Sequence, residues 1–109
     1  MSNYLRGDVV LVRYPFTDLS RAKVRPALVV STSHPSADIV IVPLTSKVAS
    51  LLPGEFILTD WTQAGLIVPT AVKRGIYTVH ETLIIKLVGQ ITTDDSDRVE
   101  ESLRLWLGL

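Results

Sequence analysis

Residues 21–31 read Arg-Ala-Lys-Val-Arg-Pro-Ala-Leu-Val-Val-Ser, and they join a short basic loop to an apolar, β-branched run. Proline fixes its own φ and biases the preceding residue away from helical backbone. Arg25 is therefore predicted to have extended backbone at the start of a strand, and residues 27–30 are predicted to form buried sheet. The strand anchors one end of the stretch, while the other end presents a permanent cation with five donors, which suits a phosphate or a carboxylate.

Further short strands are predicted on both sides of this stretch. Enrichment in β-branched and aromatic residues indicates strands over 9–14, 26–31, 38–44, 55–58, 66–73, 76–79 and 84–91. Pro43 predicts a bulge or a sheet edge near the end of its strand, and Gly89 predicts a bulge in the last one. Because a tight turn joins the second and third strands, antiparallel pairing would bring Arg25 to the same end of the sheet as Thr45 and Ser46.

Two helices are expected. A short helix is predicted near 60–65, between a Thr-Asp pair that can cap it and Gly65 that can end it. A longer helix is predicted near 94–107, after two threonines and with an acidic first turn that suits the helix dipole. Its apolar stripe is formed by Val99, Leu103 and Trp106. The expected fold class is α+β and mostly β: a small barrel or half-barrel with helices packed outside.

Composition restricts the class of protein. The chain has 109 residues and no cysteine, so one domain over 1–109 is expected, without disulfides or a cysteine-based metal site. No signal-peptide pattern and no apolar run of roughly 18 residues are present, so a cytoplasmic protein without a membrane partner is expected. Residues 1–50 carry six Lys and Arg against three Asp and Glu, whereas residues 51–109 carry five against eight. A local basic surface is thus compatible with zero net charge.

Motifs for known chemistry are mostly absent. Neither a phosphate-binding glycine loop nor a dinucleotide fingerprint occurs. His34 and His80 fall in separate predicted turns without clustered carboxylates, so no metal site, no cofactor and no acid–base pair of histidines are predicted. For Arg25 two readings stay open, an ion pair with Asp8 or Asp18 and the binding of an anion. For the hydroxyls after the third strand, bonding to local backbone is the alternative to a catalytic role.

Several blocks together resemble the MazF/PemK-like toxins of bacterial type II toxin–antitoxin systems. The blocks occur in the order expected for that family and cover nearly the whole chain. They are Gly-Asp-Val-Val-Leu-Val at 7–12, Pro-Phe-Thr-Asp at 15–18, Lys-Val-Arg-Pro-Ala-Leu-Val-Val-Ser at 23–31, Val-Pro-Leu-Thr-Ser at 42–46, Gly-Leu-Ile-Val-Pro-Thr-Ala-Val-Lys at 65–73, and the final Leu-Gly-Leu. His80-Glu81 departs from the pattern, since many relatives have Asp and a basic residue there.

The resemblance implies a fold, an activity and partners. It implies an SH3-like barrel with a C-terminal helix, a homodimer, and inhibition by a cognate antitoxin protein. It also implies a metal-independent endoribonuclease that cuts single-stranded RNA and leaves 2′,3′-cyclic phosphate and 5′-hydroxyl ends. The family pattern assigns catalysis to Arg25 and Thr45. The basic loop 16–24 is the expected RNA contact, and the expected RNA-binding residues are Thr17, Arg21, Lys23, Ser46 and Lys47.

Two other functions remain compatible with the sequence. The C-terminal Trp106-Leu107-Gly108-Leu109 is similar to the Trp-Gly-Ile end through which gyrase-poisoning toxins of the same fold act on a protein without cutting RNA. A catalytically inactive binding module is the second alternative. The Arg-Pro block and Thr45 favour the ribonuclease.

Overall fold

The structure, a computed structural model, describes residues 3–14 and 23–109. These residues form seven strands, a short 3₁₀ helix at Glu81–Leu83 and one α-helix. The strands are β1 (Asp8–Tyr14), β2 (Lys23–Val29), β3 (Asp38–Thr45), β4 (Phe56–Ile57), β5 (Ala71–Val72), β6 (Tyr77–His80) and β7 (Ile84–Gln90), and the helix is α1 (Thr93–Leu107). The prediction of a mostly β fold with a C-terminal helix is confirmed.

The strands form an antiparallel sheet in the order β4-β5-β3-β2-β1-β7. The strand β3 has two partners along one edge, since residues 38–41 pair with β6 and residues 44–45 pair with β5. Pro43 lies where the partner changes, and its carbonyl accepts the Lys73 N–H at 2.9 Å. A proline is tolerated there because the regular ladder is already interrupted. The resulting sheet is barrel-like without being closed.

Strand alternation divides the interior into two clusters of buried side chains. One face of the sheet packs against α1 and the segment before β5; its buried members are Val9, Leu28, Val42, Leu44, Phe56, Leu58, Ala64, Val72 and Val99. The other face encloses Val10, Val12, Tyr14, Ala27, Val29, Ile39, Ile41, Val79 and Ile84. Because β1, β2 and β3 contribute to both clusters, these three strands form the rigid centre of the fold.

The helix α1 is attached to the sheet by its first turn as well as by its apolar stripe. Thr92 caps the helix by accepting the Asp95 N–H at 3.1 Å, as one of the two expected threonines. The Asp95 carboxylate, only 1% exposed, accepts the N–H of Thr59 at 2.7 Å and its hydroxyl at 2.8 Å. Arg98 forms an ion pair with Asp95 at 3.3 Å and lies over the Phe56 ring. These contacts fix the helix against the chain that follows β4.

The strand β2 begins earlier than predicted, so the prediction that Arg25 lies at the start of a strand is wrong. Pairing with β1 continues through Val12–Arg25 and Arg13–Val24 to Tyr14–Lys23, because the first strand extends far enough to supply partners. Arg25 therefore lies inside a strand. Of the predicted loop 16–24, Lys23 and Val24 belong to β2, and the remainder lies outside the described residues.

The short helix predicted near 60–65 is also wrong, since this segment is a series of turns. The expected cap and stop are present: the Asp60 carboxylate accepts the Gln63 N–H, and Gly65 has a φ of +83°. The Ala64 backbone at the end of this segment lies so close to Gly89 that a Cβ there would collide with it. The strand predicted over 66–73 shortens to β5. Pro69, just before it, has no N–H to donate to a ladder.

The bulge predicted in the last strand is confirmed. The register between β1 and β7 shifts twice, and Val9 pairs with Gly89 whereas Val10 pairs with Leu87. Along the described residues, no helix is long and apolar enough to cross a membrane.

Candidate active site

A groove of about 980 Å³ opens at the end of the sheet where β2 begins and β3 ends. Its walls come from these two strands, from the segment 65–70, from the chain between β5 and β6, and from one face of β7. Arg25, Thr45, Ser46 and Lys47 all line it. The structure therefore brings together residues that the sequence separates by twenty positions.

Strand register explains why Arg25 and Thr45 line the same groove. Ala27 pairs with Pro43 at the end of the antiparallel ladder of β2 and β3, and Arg25 and Thr45 each lie two residues beyond that pair. Side chains two residues apart in a strand share a face. Both side chains therefore leave the same face of the sheet, at the point where its buried cluster ends. Their roles in catalysis stay a prediction.

Arg25 is exposed, and the carboxylates of the described residues do not neutralise it. Its guanidinium donates a weak hydrogen bond to the neighbouring Val24 carbonyl at 3.3 Å. Asp8, one predicted partner, is bound at the other end of β1, where its buried carboxylate accepts the Leu5 N–H at 2.9 Å and the Gln90 side-chain amide at 2.8 Å. Asp18, the other, lies outside the described residues. The guanidinium is thus available to an anion in the groove.

The hydroxyl of Thr45 satisfies local backbone and keeps its donor. Its oxygen accepts the Lys47 N–H at 3.1 Å across the turn that follows β3. A hydroxyl offers one donor and two acceptor positions, so the hydrogen stays available to a ligand. The bond also fixes the Thr45 rotamer relative to the strand end.

The charged side chains that line the groove, among the described residues, are all basic. Among its described lining residues there are six Lys and Arg and no Asp or Glu. The cations are Lys23, Arg25, Lys47, Lys73, Arg74 and Lys86. Lys73, Arg74 and Lys86 were not among the predicted site residues. The basic Lys73-Arg74 pair was visible in the sequence, whereas Lys86 reaches the groove only because of the register of β7.

An aromatic pair supports one side of the groove. Tyr14 and Tyr77 meet edge to face with ring centroids 6.2 Å apart. Burial, and secondarily the neighbouring Tyr77, raises the pKa of Tyr14 to about 12, so this phenol stays neutral under ordinary conditions. Tyr77 keeps 38% of its surface exposed beside the groove cations. The pair gives the groove a firm, partly aromatic side.

The remaining candidate residues lie elsewhere. Thr17 and Arg21 are outside the described residues. His34 and His80 are exposed, and each ring accepts a backbone N–H two residues on, from Ser36 and Thr82. Within residues 3–14 and 23–109, no three His, Cys, Asp or Glu side chains are grouped as metal ligands.

The C-terminal tryptophan is anchored within the fold. The Trp106 indole donates to the Pro53 carbonyl at 3.0 Å and packs against Gly54. Leu107 and Leu109 beside it are exposed. The part of this segment that is accessible to a partner is therefore the two leucines, whereas the indole is held by the fold.

Comparisons with known proteins agree with this architecture. The family model of the PemK-like, MazF-like toxin of type II toxin–antitoxin system matches residues 5–107. No curated protein matches the sequence. An endoribonuclease in complex with its cognate antitoxin, from a mycobacterial species, is 21% identical with a TM-score of 0.78, over 97% of this chain and 96% of that chain.

Two further solved structures are similar over their whole length. A mycobacterial endoribonuclease is 23% identical with a TM-score of 0.76, over 100% of this chain and 95% of that chain. A MazE–MazF complex from Deinococcus radiodurans is 18% identical with a TM-score of 0.79, over 99% of both chains. At these identities the likeness establishes a shared fold.

Proposed function

The chain belongs to the PemK-like, MazF-like toxin family of type II toxin–antitoxin systems, and from that premise we propose that it is a metal-independent endoribonuclease of single-stranded RNA. The single observation that carries the proposal is that Arg25 and Thr45 line one groove whose described charged side chains are all cationic. Solved structures of the same fold include proteins described as endoribonucleases.

The groove suits the transition state of RNA cleavage by an internal nucleophile. The ribose 2′-oxygen loses its proton and bonds to phosphorus, the bond from phosphorus to the 5′-oxygen breaks, and that oxygen takes up a proton. Negative charge grows on the non-bridging phosphoryl oxygens during this displacement. The planar guanidinium of Arg25 and the hydroxyl of Thr45 are donors that can stabilise the charge from fixed positions. The products are a 2′,3′-cyclic phosphate and a 5′-hydroxyl.

The other groove cations bind the substrate strand. Lys23, Lys47 and Arg74 lie around the proposed reaction centre at positions that can contact neighbouring phosphates. Ser46 adds a hydroxyl beside them. Because the nucleophile belongs to the ribose, DNA of the same sequence binds without being cut.

We further propose a homodimer that a cognate antitoxin inhibits. Two of the solved relatives are complexes with an antitoxin. An acidic antitoxin segment would be attracted to the cationic groove and would exclude RNA from it. The exposed apolar side chains at the end of α1 and just beyond it, Leu105, Leu107 and Leu109, are candidates for burial in either contact.

The test is direct. The pure protein is incubated with a labelled single-stranded RNA in EDTA, and the new ends are mapped. We expect cleavage with cyclic phosphate and 5′-hydroxyl ends, and no cleavage of the matching DNA. An intact RNA under these conditions refutes the ribonuclease and leaves the protein-binding toxin as the better account. Cleavage that survives both Arg25→Ala and Thr45→Val refutes the site while the activity stands.

A further inference from the structure

We propose that Glu55, which lies outside the groove, is a positioning residue that holds the Lys73–Arg74 wall in place for the RNA. The inference rests on the proposed ribonuclease function and adds a residue to it. Glu55 supplies no contact to the substrate. Its effect passes through the backbone of Arg74.

The Glu55 carboxylate bridges two distant stretches of backbone. One oxygen accepts the Leu52 N–H at 2.8 Å, and the other accepts the Arg74 N–H at 2.9 Å. Both oxygens are therefore occupied by main-chain donors. The second bond crosses nineteen positions and ties the loop before β4 to the chain that follows β5.

The loop that carries Glu55 is itself held firmly by α1. The Gly54 carbonyl accepts the Ser102 hydroxyl at 2.6 Å, and the Pro53 carbonyl accepts the Trp106 indole. The Glu55 N–H closes the turn by donating to the Leu52 carbonyl at 2.9 Å. The Glu55 carboxylate therefore belongs to a loop that α1 holds in place, and it can in turn hold the more weakly bonded backbone of Arg74.

The segment on the other side has few bonds of its own. The strand β5 ends at Val72, and the next residue, Lys73, donates to the Pro43 carbonyl. Arg74 then has its backbone N–H bound by Glu55, after which the chain turns at Gly75 toward β6. Lys73 and Arg74 both line the groove that contains Arg25. Loss of the Glu55 bond would free the Arg74 backbone, next to a Lys73 whose own N–H stays bound to the Pro43 carbonyl.

The negative charge of Glu55 would change RNA binding in the opposite direction to positioning, so a charge effect and a positioning effect can be separated. The N–H bonds from Arg74 and then Leu52 lower the pKa of Glu55; burial opposes them, and the charges of Lys73 and Arg74 lower the pKa further. The carboxylate is therefore an anion beside cations that would bind RNA. If it acted only through charge, its removal would strengthen RNA binding. If it acts by positioning, its removal weakens binding.

The experiment compares Glu55→Ala with Glu55→Gln. Binding to a single-stranded RNA with 2′-O-methyl riboses, which cannot be cut, is measured by fluorescence anisotropy, and amide hydrogen exchange is followed at Arg74. Because the alanine leaves the Arg74 N–H without its acceptor, we expect the Kd to rise about tenfold and that amide to exchange faster. The glutamine keeps one carbonyl acceptor, so it should stay within about threefold of wild type. On a cleavable RNA the alanine should raise KM more than it lowers kcat.

Glu100→Ala is the matched control, because it removes the same charge from an exposed position on α1 and should leave binding and exchange unchanged. Equal tightening of RNA binding in both Glu55 variants, or unchanged Arg74 exchange in the alanine, overturns the inference. If the alanine is unfolded at the assay temperature, Glu55→Asp replaces it; this variant keeps the charge but is one methylene shorter, and it must weaken binding. Wild-type protein that neither binds nor cuts RNA refutes the proposed function itself, whatever the exchange shows.

Discussion

Replacement of Arg25 is the perturbation that most directly tests the site. The side chain is exposed and makes one weak hydrogen bond, to the Val24 carbonyl. Its removal should therefore change the free energy of unfolding by no more than about 0.5 kcal/mol. A fall in activity can then be assigned to the reaction and not to the fold.

The expected size of the effect follows from the setting of the guanidinium. Loss of one preorganised donor to a developing oxyanion lowers kcat by about 10²- to 10³-fold in enclosed sites. Arg25 lies in an open groove where water screens its charge, so Arg25→Ala is expected at the lower end, about 100-fold or about 2.7 kcal/mol. Arg25→Lys keeps the charge and loses the planar fork, and about tenfold is expected.

The assay is single-turnover cleavage of a labelled RNA at saturating protein, with urea unfolding of each variant. Arg104→Ala on α1 removes an equal charge outside the groove and should retain full activity. A loss below about threefold in Arg25→Ala, with stability unchanged, would refute the argument that this guanidinium stabilises the reacting phosphate. Full activity in Arg25→Lys would refute the role given to the planar fork.

Three stability predictions follow from the structure. Asp95→Ala should lower the free energy of unfolding by about 3 kcal/mol in urea titration, because the Thr59 N–H and hydroxyl lose a buried charged acceptor; a loss under about 1 kcal/mol would contradict this account. Gly54→Ala should lower the Tm more than Gly108→Ala does. Both glycines have positive φ, but only at Gly54 would a Cβ collide with Trp106. Equal Tm shifts in the two variants would show that the collision is relieved. Folding lowers the pKa of Glu55, so the stabilisation by its carboxylate is complete above the pKa of the unfolded chain and is lost as the pH falls through the pKa of the folded protein. The difference in unfolding free energy between wild type and Glu55→Gln should therefore shrink on acidification below about pH 4.5. A difference that stays constant with pH would argue against this role of the carboxylate.

Much of the fold was accessible from local patterns. The strands, the bulge near Gly89 and the helix stripe were predicted because alternation, glycine and helical periodicity act over a few residues. The helix predicted near 60–65 was wrong although its cap and stop signals are present in the structure. Local signals set where a helix can start and end, whereas packing decides whether it forms.

Part of the candidate site was likewise predictable from the sequence, and part depended on strand register. The cation before Pro26 and the hydroxyls of Thr45 and Ser46 at the end of β3 were predicted from the sequence, and a tight turn between antiparallel strands was enough to expect them at one end of the sheet. The error about Arg25 came from the length of β2, which its partner β1 determines. Lys86 was missed because a bulge changes which face of β7 a residue occupies, and no local pattern shows the new register.

The sequence alone determined the residue types that surround residues 21–31, the antiparallel pairing that follows them, and the resemblance to a toxin family. Only the tertiary structure decided that Arg25 and Thr45 line one groove, that six cations share it, and that a distant carboxylate holds the Arg74 backbone. The physical reason is range. Propensity and periodicity depend on neighbours along the chain, whereas register, groove charge and long-range hydrogen bonds exist only after distant strands have paired.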